Sequence, residues 1–250
     1  MTLNKKYRLF FYLLLLLIVK QSDAQNTIFD DDRLNYNRAA SGGVMIHNLG
    51  WGLDFEKYYH KTVDKKRYFE IQLDFIHHPK QKKVYNPFFR DAKGYFFGKL
   101  NSFFVLRFVY GNQRIIAYKI RSSGVELSYK WGIGASIGFL KPVYLDIINF
   151  ENNIIIIQKY NPEIHNELNI FGRAGGLRGF DEIKIRPGVY AKFGLMIEYS
   201  PKKRGFTGLE VGFALDSYFQ TIEIMANTSN LQFFPLLYLN IYVGSKYDKK

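Results

Sequence analysis

Apolar and polar positions alternate along this chain with a period of two. In Val125–Phe139 every odd position is apolar: Val125, Leu127, Tyr129, Trp131, Ile133, Ala135, Ile137 and Phe139. Every even position is polar or glycine: Glu126, Ser128, Lys130, Gly132, Gly134, Ser136 and Gly138. Such alternation marks a β-strand whose two faces meet different surroundings. Tyr68–His78, Val189–Ser200, Phe206–Asp216 and Pro235–Gly244 repeat it. Two noisier runs join them. Gly42–Lys57 is read as one strand with Met45, Leu49, Trp51, Leu53 and Phe55 on one face, and Ser102–Gly111 sets Phe104, Leu106, Phe108 and Tyr110 against Arg107. That makes seven strands. The connections at Tyr58–Arg67, Asn112–Ser123 and Pro201–Gly205 read as short. Those at Pro79–Asn101, Lys141–Pro187 and Ser217–Phe234 read as long. Short and long alternate, as in an antiparallel up-and-down β-barrel crossing an outer membrane.

The composition of the faces decides which side meets lipid. The polar face carries glycines (Gly132, Gly134, Gly138, Gly194, Gly208, Gly212). These are costly on an open strand face and suit a crowded lumen. The apolar face is unbroken over Val125–Phe139, roughly 50 Å of strand, more than the ~10 residues a tilted membrane strand needs. The expected fold is therefore an all-β transmembrane barrel of about eight strands, within a range of eight to ten. Because such barrels have even strand numbers, an eighth strand is expected in Asn26–Ala40 or in "NIIIIQKY", Asn153–Tyr160. Aromatic residues near strand ends (Tyr58, Tyr59, Phe88, Phe89, Tyr95, Phe96, Phe97, Tyr144, Phe233, Phe234) suit the girdles at the two membrane interfaces. The competing architecture is a soluble lipocalin-like binder with the apolar face turned inward.

The N-terminus adds a destination. Lys5, Lys6 and Arg8 precede the apolar stretch Leu9–Val19, and "SDA" at Ser22–Ala24 supplies small residues for cleavage. Residues 1–24 read as a secretory signal peptide, leaving residues 25–250 as one barrel domain in the outer membrane. The chain has no cysteine, so neither disulfides nor thiolate zinc contribute. Its net charge of +13 points, in an exported chain, to anionic lipid or lipopolysaccharide head groups rather than nucleic acid.

The lumen-facing charges come in both signs: Glu70, Asp74, Arg107, Glu126, Lys130, Lys192, Glu198 and Glu210. The interior of an eight-stranded barrel is just filled by side chains, so these are expected to pair with one another. A charged ring selecting ions in a narrow pore is the alternative. The five histidines, His47, His60, His77, His78 and His165, fall in no catalytic motif, and neighbours such as His77 and His78 diverge on a strand. No catalytic residue, metal ligand or cofactor is expected. The stretch "GRAGGLRGFDEIKIRPG", Gly172–Gly188, lacks the spacing of a phosphate loop. It is read as a mobile extracellular loop whose Arg173, Arg178, Lys184 and Arg186 contact head groups or a protein partner.

Taken together, the signal segment, the absence of cysteine, the alternating strands and a last strand near the C-terminus resemble the small outer-membrane β-barrel proteins of Gram-negative bacteria. "GKLNSFFVLR" (Gly98–Arg107) and "GFLKPVYLDI" (Gly138–Ile147) are similar to barrel proteins of Bacteroidota that have no assigned function. The resemblance implies a structural or protein-interaction role in the envelope (assembly, secretion accessory or adhesion) without enzymatic activity. A narrow passive pore is the runner-up, and an envelope-lipid hydrolase comes third. It also implies insertion by the barrel-assembly machinery, which reads a terminal aromatic. Tyr247 is in phase with Leu237–Val243, although Asp-Lys-Lys follows it.

Overall fold

A computed structural model describes residues 37–62, 64–119, 124–150, 152, 154–200 and 204–247. Residues 1–24, read above as a signal peptide, lie outside them. The described chain forms a closed antiparallel barrel of eight strands, each paired with its neighbours in sequence. They are β1 (Arg38–His47), β2 (Gly50–His60), β3 (Lys65–Ile76), β4 (Asn101–Ala117), β5 (Val125–Pro142), β6 (Lys184–Tyr199), β7 (Gly205–Ile222) and β8 (Leu231–Tyr247). Pairing of β1 with β8, Arg38 opposite Tyr247 through His47 opposite Tyr238, closes the wall.

The eighth strand comes from a place the alternation concealed. Gly42–Lys57 is not one strand but a hairpin, with Asn48 and Leu49 at its turn. Gly50 follows with φ 155°, a conformation that side chains disfavour. The Asn48 side chain fixes this turn to β8, donating to the Pro235 carbonyl at 3.2 Å and accepting from the Leu237 N–H at 3.2 Å. A two-residue turn exchanges the faces, so Met45 points inward and Trp51, Leu53 and Phe55 point outward. Neither site expected for the missing strand supplies it whole. β1 overlaps Asn26–Ala40 only from Arg38 onward. Ile154–Lys159 is a strand, but it belongs to a separate three-stranded sheet with Tyr144–Asn149 and Ile170–Arg173.

The faces elsewhere follow the sequence. Ile133, Phe193, Leu195, Phe213, Leu237 and Ile241 are exposed on the outside. Glu70, Arg107, Lys130, Lys192 and Glu210 are buried inside. Trp51, Phe75, Phe104 and Phe139 sit side by side on β2, β3, β4 and β5. Their ring centroids are 4.9, 6.5 and 5.1 Å apart in turn, making a girdle at one end of the outer surface. Tyr59 lies near the other end, about 26 Å farther along β2 at ~3.3 Å per residue, or ~20 Å across a layer when strands tilt by ~40°. Not all the expected girdle aromatics face outward. Tyr58 and Phe234 fill the lumen, and Tyr95 is buried in a loop core.

Glycines relieve the crowded interior where rings cross it. A Cβ on Gly132 would strike the Tyr68 ring, and one on Gly208 the Tyr242 hydroxyl. The connections at 61–64, 118–124 and 200–204 define one end of the barrel. At the other end two of the four connections are long, 77–100 and 143–183. The third is the Asn48–Leu49 turn. The fourth is only 223–230, because β7 runs to Ile222 and β8 begins at Leu231; Ser217–Phe234 is mostly wall. β6 likewise begins at Lys184, which takes Lys184 and Arg186 out of the loop and onto the wall.

Candidate functional site

Two features above the bare wall can carry function: the charged lumen and the head formed by the two long loops. The lumen is stacked in layers. Nearest the short turns, Glu198 accepts from Lys246 at 2.7 Å and Lys119 at 3.1 Å, and Lys66 lies 3.1 Å from Glu126 and 3.9 Å from Glu198. A void of about 10 Å³ borders this layer beside Lys66, Gln113 and Lys246, room for about one water.

In the next layer Lys130 contacts Glu56 closely and reaches Glu210 at 3.1 Å and Glu70 at 3.7 Å. Lys192 reaches Glu70 at 3.0 Å and Glu210 at 3.2 Å. Tyr238 donates to Glu210 at 2.6 Å, and the Lys130 ammonium stands 4.3 Å from the Tyr68 ring centre. Above this, Arg107 donates to Asp216 from Nε at 3.0 Å and Nη2 at 2.6 Å, and from Nη1 to Asp74. Ser136 donates to Asp216 at 2.5 Å, and the Tyr190 ring centre is 4.5 Å from the guanidinium carbon. A charge removed from water is tolerated only with close partners of opposite sign, and alternation on eight converging strands supplies them.

All eight charged residues singled out in the sequence are buried within the barrel. The structure adds Asp54, Glu56 and Lys66 to the buried charges, and buries Asp216, which alternation over Phe206–Asp216 already placed on the polar face. Asp54 and Glu56 stand opposite Trp51, Leu53 and Phe55, so the alternation of β2 already implied their side; Lys66 stands at a strand end, where alternation has barely begun. His47 Nε2 lies 3.7 Å from Asp74, without a hydrogen bond. His60, His77, His78 and His165 are spread over both ends and the loops.

Above the Arg107 layer the lumen turns apolar. Ile76, Phe103, Leu140, Tyr218, Ile222 and Phe234 pack together. The rings of Phe103, Tyr218 and Phe234 lie 5.5–5.8 Å apart, centre to centre. This plug separates the charges from the loop end.

The two long loops fold over the plug as one head. Tyr95, Leu145, Ile147, Tyr160 and Ile170 form its core. Asn86 ties the loops together by donating to the Ile170 carbonyl at 2.8 Å. Backbone bonds from Leu100 to Ile224 (2.9 Å) and from Ala226 to Gly98 (2.7 Å) seat the 223–230 turn against it. The stretch expected to be a mobile loop therefore gives Gly172 and Arg173 to the sheet strand Ile170–Arg173 of a packed head. Arg173 and Arg178 are exposed there, Lys184 is exposed at the start of β6, and Arg186 is half-buried on the lumen side of the rim. A cleft of about 280 Å³ opens in the loops, lined by Lys80, Phe97, Tyr160, Pro162 and Met225–Thr228.

Lys99 lies almost wholly buried in this head, its ammonium 5.1 Å from the Phe96 ring centre. Burial, then Lys141 and Arg173, lower its pKa from 10.5 to about 8. Below pH 8 the group is charged in both states, and its burial cost is fully present. Between about 8 and 10.5 the unfolded head binds the extra proton, so its stability rises with pH. Amide-exchange protection at Leu145–Ile147, corrected for intrinsic rates, should increase from neutral pH through that window. Lys99→Met should remove the increase.

No protein-family profile matches the sequence, and no curated protein does. Among solved structures the chain is similar to Neisserial surface protein A, at 7% identity and TM-score 0.41 over 84% of this chain and 95% of that one. It is similar to Ail, the attachment invasion locus protein of Yersinia pestis, crystallised with the heparin analogue sucrose octasulfate, at 8% identity and TM-score 0.43 over 86% and 100%. The N-terminal β-barrel domain of Pseudomonas aeruginosa OprF gives 9% and 0.35 over 85% and 98%.

Proposed function

We propose that this chain is an integral outer-membrane barrel with a sealed lumen, whose working surface is the head. The observation that carries the reading is the inversion of the barrel: side chains such as Ile133 and Leu237 face out while Arg107, Lys130 and Lys192 are buried within. Exposing so continuous an apolar band to water is unfavourable, and lipid removes that cost. The lumen residues then serve as a skeleton of ion pairs holding eight strands together, and the plug argues against conduction. Lipid and lipopolysaccharide surround the belt, the assembly machinery acts during insertion, and an envelope protein or a head group meets the exposed head. The role is structural or adhesive rather than enzymatic.

Membrane fractionation with heat-modifiable gel mobility tests the location. The expected result is an outer-membrane protein whose band shifts on boiling. A soluble periplasmic protein with no shift would reverse the faces. In a planar bilayer the purified barrel should show no conductance steps; steady single-channel currents would restore the pore. Lipopolysaccharide binding in neutral detergent tests the head. Removing Arg173 or Arg178 should weaken it about fivefold each, from ~1 kcal/mol per basic residue near an anionic surface. Unchanged binding in both variants would turn the search to a protein partner.

A further inference from the structure

The layer around Lys130 and Lys192 does not balance. Four carboxylates, Asp54, Glu56, Glu70 and Glu210, are buried there with two ammonium groups, Lys130 and Lys192. Glu56, Glu70 and Glu210 each contact a lysine. Asp54 is only 6% exposed, and neither of its carboxylate oxygens has a hydrogen-bond partner among the described residues. A buried carboxylate left in this way is expensive.

A second side chain shares the same spot. Asn240 on β8 is 0% exposed, and both its amide atoms are likewise without partners. Between the two lies Gly43 of β1. The point where its Cβ would stand is 2.6 Å from Asn240 Oδ1, 2.7 Å from Asp54 Oδ1 and 3.0 Å from the Ile241 carbonyl oxygen. Two side-chain oxygens thus approach each other over Gly43, where any larger residue would crowd them, and the third belongs to the main chain of the paired strand. Oxygens of Asp54, Glu56 and Glu70 also lie within 4.8 Å of one another, close enough for a carboxylate of Glu56 or Glu70 to join the set.

We propose that Asp54 and Asn240, whose oxygens meet on the lumen side of Gly43, hold a divalent cation of calcium size there, with a carboxylate of Glu56 or Glu70 completing the set. Calcium takes oxygen ligands at ~2.3–2.6 Å in flexible geometry and accepts carboxylate, amide and backbone carbonyl oxygens together. Its two charges cancel the excess of two carboxylates. Asp54 belongs to β2, Gly43 to β1, and Asn240 and Ile241 to β8. The ion therefore ties the second strand to the last across the first, at the seam where the barrel closes.

The test uses the full mature chain folded into detergent micelles with EDTA, with excess calcium chloride, or with excess magnesium chloride. Because the site is buried, the ion is supplied during folding. After gel filtration, elemental analysis should find one calcium per chain. The heat-modifiable unfolding midpoint should rise by roughly 5–10 °C at a calcium concentration about a hundred times Kd. Asp54→Asn should lose both the ion and the shift, while Glu163→Gln, in the head, keeps both. Gly43→Ala sets a methyl against both ligand oxygens and should also lose both; if that variant does not fold, Asp54→Asn still decides. A wild-type protein with no bound calcium and equal midpoints in all three solutions overturns the site. Calcium bound equally by Asp54→Asn also overturns it.

Discussion

Replacing Arg107 by methionine should lower the unfolding free energy by about 3–5 kcal/mol, the range for breaking a buried ion pair by removing one partner. Arg107 is fully buried between Asp216 and Asp74. Without it, two carboxylates face each other's charge with the plug on one side and the tyrosine-lined layer on the other. Lysine at the same position cannot rescue fully, because one ammonium lacks the planar fork that serves Asp216 from Nε and Nη2. The triple variant Arg107→Met with Asp74→Asn and Asp216→Asn should recover most of the loss, since the buried charges disappear together. Equilibrium urea unfolding in lipid vesicles, read by the heat-modifiable band, measures all four proteins. A loss under ~1 kcal/mol in the single variant, typical of an exposed pair, would mean that water reaches the layer and the plug leaks.

The second large effect lies on the opposite face. Ile133→Arg should cost about 2–4 kcal/mol, the range for arginine at the lipid face of a barrel midplane. Ile133 is 61% exposed and stands halfway between Val125 at the short-turn end and Phe139 in the girdle. Val125→Arg, near the interface, should cost only ~0–1 kcal/mol. The two substitutions are chemically alike, and both residues point outward, so the difference between them reports depth in a bilayer. Were the outside wet, both would fall within ~0.5 kcal/mol of wild type. Equal, small effects at both positions would therefore remove the membrane from the account.

Period-two alternation by itself determined most of this protein. It assigned the inward face of β3 to β8, and with it Glu70, Asp74, Arg107, Glu126, Lys130, Lys192, Glu198 and Glu210, because in a strand the position of one side chain sets the face of all the rest. The run of glycines opposite that apolar face declared a narrow interior before any ring was seen to cross it. What alternation cannot carry is phase across a turn. The Asn48–Leu49 turn reverses the faces, so β1 and β2 read as one strand, and Met45 was set on the outer face with Trp51, Leu53 and Phe55. Partner choice was equally out of reach. Arg107 meets Asp216 from β7, and Asp54 and Asn240 approach the same glycine from β2 and β8, placements set by strand stagger around a closed barrel rather than by distance along the chain. The head was hidden for a third reason. Its strands are short, its residues follow no long period, and Tyr95 and Ile170 become a core only when two loops distant in sequence fold against each other.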